Sequence, residues 1–254
     1  AGRGDTTLAR IAGNSLASNQ VGFPGEAGGT PGGFGSFSKN LVTGGKAGLI
    51  LVGNQGGSLT GNRVSGAEDG ILLSDARDML ISENQIITSE FGMVISASDS
   101  LPDQVDGAAC ADNRITHNRV TAPQPLVLTG PSSGIRNNTV FLNDLIPAGT
   151  RGGAGTPPVF LTGTHFWGGV VASPPDQLFS PSLPGRSGNR WETETLVRYA
   201  YNGSPYSGYL GNYWGDGVSR EPGAGGVGTL PVRINAENED RSPLTGTRDQ
   251  YSLR

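Results

Sequence analysis

The stretch "ISENQIITSEFGMVI", Ile81 to Ile95, decides the fold. It sets down an apolar residue, an Asn three places on, another apolar residue two beyond that, and then Gly92 opening an unbroken apolar run. The same order stands just upstream in "LTGNRVSGAEDGILL", Leu59 to Leu73. Working outward, it recurs at Ile11/Asn14/Leu16, Phe37/Asn40/Val42, Ile115/Asn118/Val120, Ile135/Asn138/Val140 and Tyr209/Asn212/Trp214, with a defective copy at Asn189 and Trp191. Asn14, Asn40, Asn62, Asn84, Asn118, Asn138, Asn189 and Asn212 are separated by 26, 22, 22, 34, 20, 51 and 23 residues, so a spacing of about 22 survives everywhere except at two insertions. Self-similarity of this length marks a repeat architecture.

Eight residues after the Asn, a Gly opens an apolar run at Gly48, Gly70 and Gly92, and after Asn118 Pro125 stands in its place one residue early. Apolar runs this short, bounded by Gly, Asn and Ser, predict strands of about three to five residues rather than helices. A strand-built period of 22 predicts a β-solenoid whose coils stack about 4.8 Å apart, so that eight or nine coils make a rod roughly 40 Å long. The recurrent Asn fits a sharp corner, where its backbone tolerates the left-handed conformation and its amide can bond the Asn of the coils above and below. These eight Asn read as a structural ladder and specify a fold, not a chemistry.

Composition agrees. Among 254 residues there are 42 Gly and 17 Pro, with 35% hydrophobic and 16% charged, which describes strands and turns rather than long amphipathic helices. A net charge of -4, with no run of Lys or Arg, provides no field for a phosphate backbone, and no nucleic-acid partner is expected. No apolar run approaches the ~20 residues of a membrane-spanning helix. The single Cys110 excludes an intrachain disulfide. With no signal peptide at Ala1, the chain reads as a mature form, extracellular or at the cell surface.

The repeat resembles the right-handed parallel β-helices of the family that includes NosD-type periplasmic copper-site maturation proteins, archaeal surface proteins and carbohydrate-binding or carbohydrate-cleaving β-helices. The resemblance is most specific at the end, where "GNYWGD" at Gly211 to Asp216, "TLPV" and "NEDRSPL" at Asn238 to Leu244 follow the family's terminal pattern. It implies an all-β, right-handed parallel β-helix of about eight to nine coils, with residues 1–254 as one domain and a C-terminal cap over about 209–254. It also implies calcium, copper or sugar chemistry in some members. Here the terminal loop reads "EPGAGGVG", with Glu221 as its one acid, and the two His, two Met and one Cys lie scattered along the chain.

Insertions in solenoids map to loops that often carry function. The first, about 99–112, brings Asp99, Asp103, Asp106 and Asp112 together in sequence, and ten of the 22 acids fall between Glu68 and Asp112. Oxygen donors at this density suit a calcium ion, or a carboxylate pair for polysaccharide cleavage. The second insertion, about 147–186, breaks the rhythm, and twelve of the 17 aromatics lie at or after Phe160. Trp167, Tyr199, Tyr201 and Tyr206 are candidates for stacking on sugar rings. The expectation is an extracellular β-helix with a structural or adhesive role, binding glycan or itself. A polysaccharide lyase, hydrolase or epimerase is the first alternative and a periplasmic metal-site maturation factor the second.

Overall fold

The computed structural model of the chain describes residues 10–17, 21–24, 35–97, 109–130, 134–148, 188–215, 221–234 and 238–254. Over residues 11–147 the chain winds as a β-solenoid of about four turns, and no α-helix occurs among the described residues. The first sheet is a ladder of six parallel strands: Arg10–Ala12, Ser36–Ser38, Ser58–Thr60, Leu80–Ser82, Arg114–Thr116 and Thr139–Phe141. The second runs alongside as Ser15–Ala17, Leu41–Thr43, Arg63–Ser74, Gln85–Ser96, Arg119–Ala122 and Asp144–Pro147. Val21–Pro24, Ala47–Val52 and Gln124–Thr129 continue it on their own levels. A narrow third sheet pairs Cys110–Ala111 with Ile135–Arg136 and is extended by parallel bridges from Gln55 through Arg77 to Ala111.

Because each residue pairs with its counterpart one period later, the apolar positions line up as columns. Phe37, Leu59, Ile81, Ile115 and Val140 form one, and Val42, Val64, Ile86, Val120 and Leu145 another, none more than 1% exposed. A coil three residues wide cannot shield its own apolar face, so the core exists only as the stack. The Gly that opens each run lies where a side chain has no room. A Cβ on Gly92 would stand 2.1 Å from Val120 Cγ1 and 2.5 Å from the Pro125 carbonyl oxygen.

The Asn side chains form two rows, where one ladder was expected. In the first, Asn14, Asn40, Asn62, Asn84, Asn118, Asn143 and Asn212 follow one another, each amide donating to the Oδ1 of the next. The row ends on Asp240, whose Oδ2 accepts from the Asn212 backbone N–H at 2.8 Å. The second row begins at the Met79 N–H and runs through Asn113, Asn138 and Asn189. Asn138 and Asn189 therefore belong to a different corner from the other six, and Asn113 and Asn143 are row members the spacing count passed over.

The left-handed backbone is displaced by one residue from its expected place. It falls on Lys39, Glu83, His117 and Leu142, each just before a first-row Asn, and on Asp112 and Asn137 before the second row. The preceding residue turns the corner, while the Asn keeps an ordinary φ and turns its amide into the stack.

Beyond residue 188 the chain adds further rungs. Arg190 bridges Thr139, and Tyr213 bridges Asp144, both parallel. Two indoles pack beneath them, Trp191 and Trp214, with ring centroids 6.0 Å apart. The Trp191 Nε1–H donates to Asn238 Oδ1 at 3.0 Å and the Trp214 Nε1–H to Asp240 Oδ2 at 2.9 Å. This gives the terminal "NEDRSPL" its physical purpose: one Asn and one Asp close the polar atoms of two buried tryptophans and of the last ladder Asn.

Candidate functional site

Four places carry the chemistry that the sequence raised. The first is the acidic corner at the third sheet. Asp75, Asp78 and Asp112 take left-handed φ values of 51°, 55° and 58°, so they turn the chain. Asp78 Oδ2 accepts from Gln55 Nε2 at 3.2 Å. Asp112, the described member of the expected metal set, is exposed and donates its backbone N–H to the Arg136 carbonyl at 3.2 Å. Asp99, Asp103 and Asp106 lie outside the described residues. Among the described residues no three His, Cys, Asp or Glu come together in a way that could hold a metal ion.

The second place is the bend of the second sheet, where Ala47, Asp69, Phe91 and Gln124 fall in register across successive coils. Burial raises the Asp69 carboxyl to about 6, helped by the negative charges of Glu90 and Glu68 and opposed by the Phe91 N–H and Lys46. Asp69 Oδ1 and Gln124 Oε1 are buried without a hydrogen-bond partner. A lone carboxyl held partly protonated near neutrality can exchange a proton, but the geometry supplies no second group aimed at a common reacting atom.

The third is the tyrosine cluster. Tyr199 is 2% exposed, stacked on Tyr206 at 5.9 Å and packed against Tyr251 at 6.1 Å. Tyr201 lies 4.9 Å from Tyr251. These rings hold the "PGAGGVG" loop. A Cβ on Gly226 would meet the Tyr201 ring at 2.4 Å, one on Gly225 the Tyr199 hydroxyl at 2.5 Å, and both glycines have left-handed φ. The Tyr251 hydroxyl donates to the Gly226 carbonyl. Tyr199 therefore has no free face for a sugar ring, Tyr201 is half-buried, and Tyr206 shows 36% of its surface. The sequence named these residues because they are aromatic and late in the chain; their partner is the glycine loop. Trp167 lies outside the described residues.

The fourth is the set of soft metal donors. Cys110, Met79 and Met93 sit in the core at 0%, 1% and 0% exposure. Burial pushes the Cys110 thiol up to about 12, and its Sγ lies 3.9 Å from the Leu73 carbonyl oxygen and 3.5 Å from Asn113 Nδ2. His117 is half-buried, with Nδ1 2.8 Å from Thr116 Oγ1. Burial, then the Arg248 charge, holds its imidazole below the usual range, with Arg114 acting the same way and Glu83 opposing. His165 lies outside the described residues.

A family model described as periplasmic copper-binding protein (NosD) matches residues 8–148, more than half of the chain. The chain belongs to the NosD family. No protein of curated function and no solved structure matches it. The NosD match covers the described turns of the solenoid, so the family resemblance and the coil geometry rest on the same residues. No helix among the described residues is long and apolar enough to cross a membrane.

The described donors do not fit a copper site. Copper(I) favours thiolate and thioether ligands and copper(II) favours imidazole. Here the sulfurs are sealed in the core, the thiol is held protonated, and a cation approaching His117 meets Arg114 and Arg248.

Proposed function

We propose that this chain serves periplasmic copper-site maturation as a rigid NosD-type platform for other proteins, without chelating copper itself. Family membership over residues 8–148 supports the periplasmic and metal-related half of this reading. The other half rests on one observation: Cys110, Met79 and Met93 all turn into the core, where they pack instead of binding. A stack whose every coil is tied to the next by amide ladders makes a stiff support. Exposed side chains on its sheets are thereby held in fixed register.

In this reading residues 1–254 form one exported, right-handed parallel β-helix. Strand-to-parallel-strand crossovers are right-handed in nearly all proteins, which supports the hand. Seven Asn followed by Asp240 in the first row support eight levels, the last two following the insertion. Residues 209–254 then serve as the cap. Among the described residues no site geometry favours polysaccharide cleavage, glycan stacking or self-assembly.

Two measurements test the reading. In a strain lacking the gene, exported copper enzymes are expected to lose copper content, and unchanged loading would remove the maturation role. Titration of the metal-free chain against a copper(I) chelator is expected to show no affinity tighter than about 1 μM. Stoichiometric binding far below that range would refute the platform half.

A further inference from the structure

The sequence has no basic run, yet the fold assembles a basic face where the first and second sheets meet. Lys39 turns this corner on one coil and packs over Gly61 of the next, two residues before Arg63, so that two cations 24 residues apart in the chain share this corner. Arg63 pairs in register with Gln85, and Gln85 with Arg119, which puts the two arginines two rungs apart, about 10 Å. Lys39, Arg63, Gln85 and Arg119 are all exposed. Neither Lys39 nor Arg63 makes an ion pair with a described residue, whereas Arg119 has Asp249 at 3.8 Å and neighbouring Arg114 has Glu194 at 3.1 Å. The acid that turns this corner, Glu83, is also exposed and sits between Gly61 and His117.

Aliphatic side chains flank these cations. Leu41, in register with Arg63, is 37% exposed, Ile87 is 40% and Leu80 is 36%. The remaining outward positions carry hydroxyls, Ser58 and Thr60 on the first sheet and Thr43, Ser65 and Thr121 on the second. Most described acids of the solenoid lie elsewhere, Glu68, Asp69 and Glu90 at the second-sheet bend and Asp75, Asp78 and Asp112 at the third-sheet corner, while Glu83 stands on this corner and Asp144 is buried in register with Arg119. Charge is thus segregated around a rod whose net charge is negative.

We infer that this face docks an acidic protein segment carrying aliphatic side chains between its carboxylates. Two cations without an ion pair among the described residues attract and orient such a segment, and the leucine and isoleucine side chains supply apolar contact area. A polysaccharide is the weaker fit, because sugar rings stack on aromatic faces and the described aromatic at this corner, Phe141, is 3% exposed beneath the Arg114 guanidinium at 4.6 Å. The inference rests on the platform reading and names the chemistry of what the platform holds.

The test uses the full chain and a labelled synthetic peptide repeating Glu-Glu-Leu, read by fluorescence anisotropy, with poly-L-glutamate and polygalacturonate as comparison probes. Salt-sensitive binding of the mixed peptide is expected, weakened about tenfold or more by Lys39→Glu with Arg63→Glu. Leu41→Ser with Ile87→Ser should weaken the mixed peptide and leave poly-L-glutamate unchanged. All four positions are exposed, and unaltered thermal melting of each variant shows that the fold is retained. Insensitivity to the charge reversal would overturn the inference, as would equal or tighter binding of polygalacturonate. Reversible self-association in sedimentation that the same variants abolish would overturn it too, by assigning the face to a second copy. Failure here leaves the copper-loading test standing, and a negative copper result with peptide binding intact refutes only the maturation role.

Discussion

Asn84→Ala is the sharpest test of the stacking argument. Asn84 is fully buried, and its side chain takes part in four hydrogen bonds. Its Oδ1 accepts from the Asn62 N–H and from Asn62 Nδ2, both at 2.9 Å. Its Nδ2 donates to the Leu59 carbonyl and to Asn118 Oδ1, also at 2.9 Å. Two of the partners keep a second bond after truncation, since Asn62 Nδ2 still reaches the Phe37 carbonyl and Asn118 Oδ1 still accepts the residue 84 N–H. The Leu59 carbonyl keeps its place in the ladder with the Leu80–Ser82 strand, whereas the Asn62 N–H loses its partner between sealed coils. Leaving that buried donor unsatisfied costs about 1–3 kcal/mol and the other lost side-chain bonds add about 1 kcal/mol, so the truncation predicts a loss of roughly 3 kcal/mol. For a chain of this size that is a drop of about 6–12 °C in melting temperature. Asn14→Ala, at the exposed start of the row, should cost about 1 kcal/mol or less. Urea unfolding followed by the fluorescence of buried Trp191 and Trp214 reads both variants. If Asn84→Ala is no more damaging than Asn14→Ala, the amide rows are not what holds the coils in register.

Two further outcomes follow from the same geometry. Gly92→Ala drives a Cβ into Val120 and the Pro125 carbonyl, and should cost about 3 kcal/mol or more by urea unfolding, whereas Gly203→Ala, at φ +83° with nothing within 4 Å, should cost about 1 kcal/mol from backbone strain alone. Burial raises the Asp240 carboxyl from 3.8 to about 7, against the pull of N–H donors from Asn212, Trp214 and Ser242. Between those two values the folded chain keeps a proton that the unfolded chain has released, so this contribution to stability is greatest below pH 4 and declines as pH rises toward 7, by up to about 1.4 kcal/mol per pH unit. Urea unfolding across that range should show the slope, and Asp240→Asn should reduce it, leaving the part that Asp69 contributes.

The solenoid and its core columns were legible in residues such as Phe37, Leu59 and Ile81, because a periodic strand stack repeats its chemistry at the period of the coil. The C-terminal closure was legible as a motif, though the partnership of Asn238 with Trp191 and of Asp240 with Trp214 was not. The row assignment failed at "NNTVFLND", where Asn138 and Asn143 both satisfy the same pattern of neighbours. The later coils have two amide-lined corners, and linear spacing cannot separate them. That the Tyr199 and Tyr201 rings pack against Tyr206 and Tyr251 was not legible, because composition does not say which face of a ring is already covered.

Sequence alone determined that this chain stacks short parallel strands with a 22-residue period, since burial of the apolar positions and pairing of the corner amides are both repeated at that interval. Only the tertiary structure decided what the stack presents. It sealed the sulfur donors in the core and set Arg63 and Arg119 on one register line with Lys39 at the adjoining corner. Stacking converts a separation of tens of residues into a rung of about 4.8 Å, so groups remote in the chain become neighbours and groups adjacent in the chain face opposite ways.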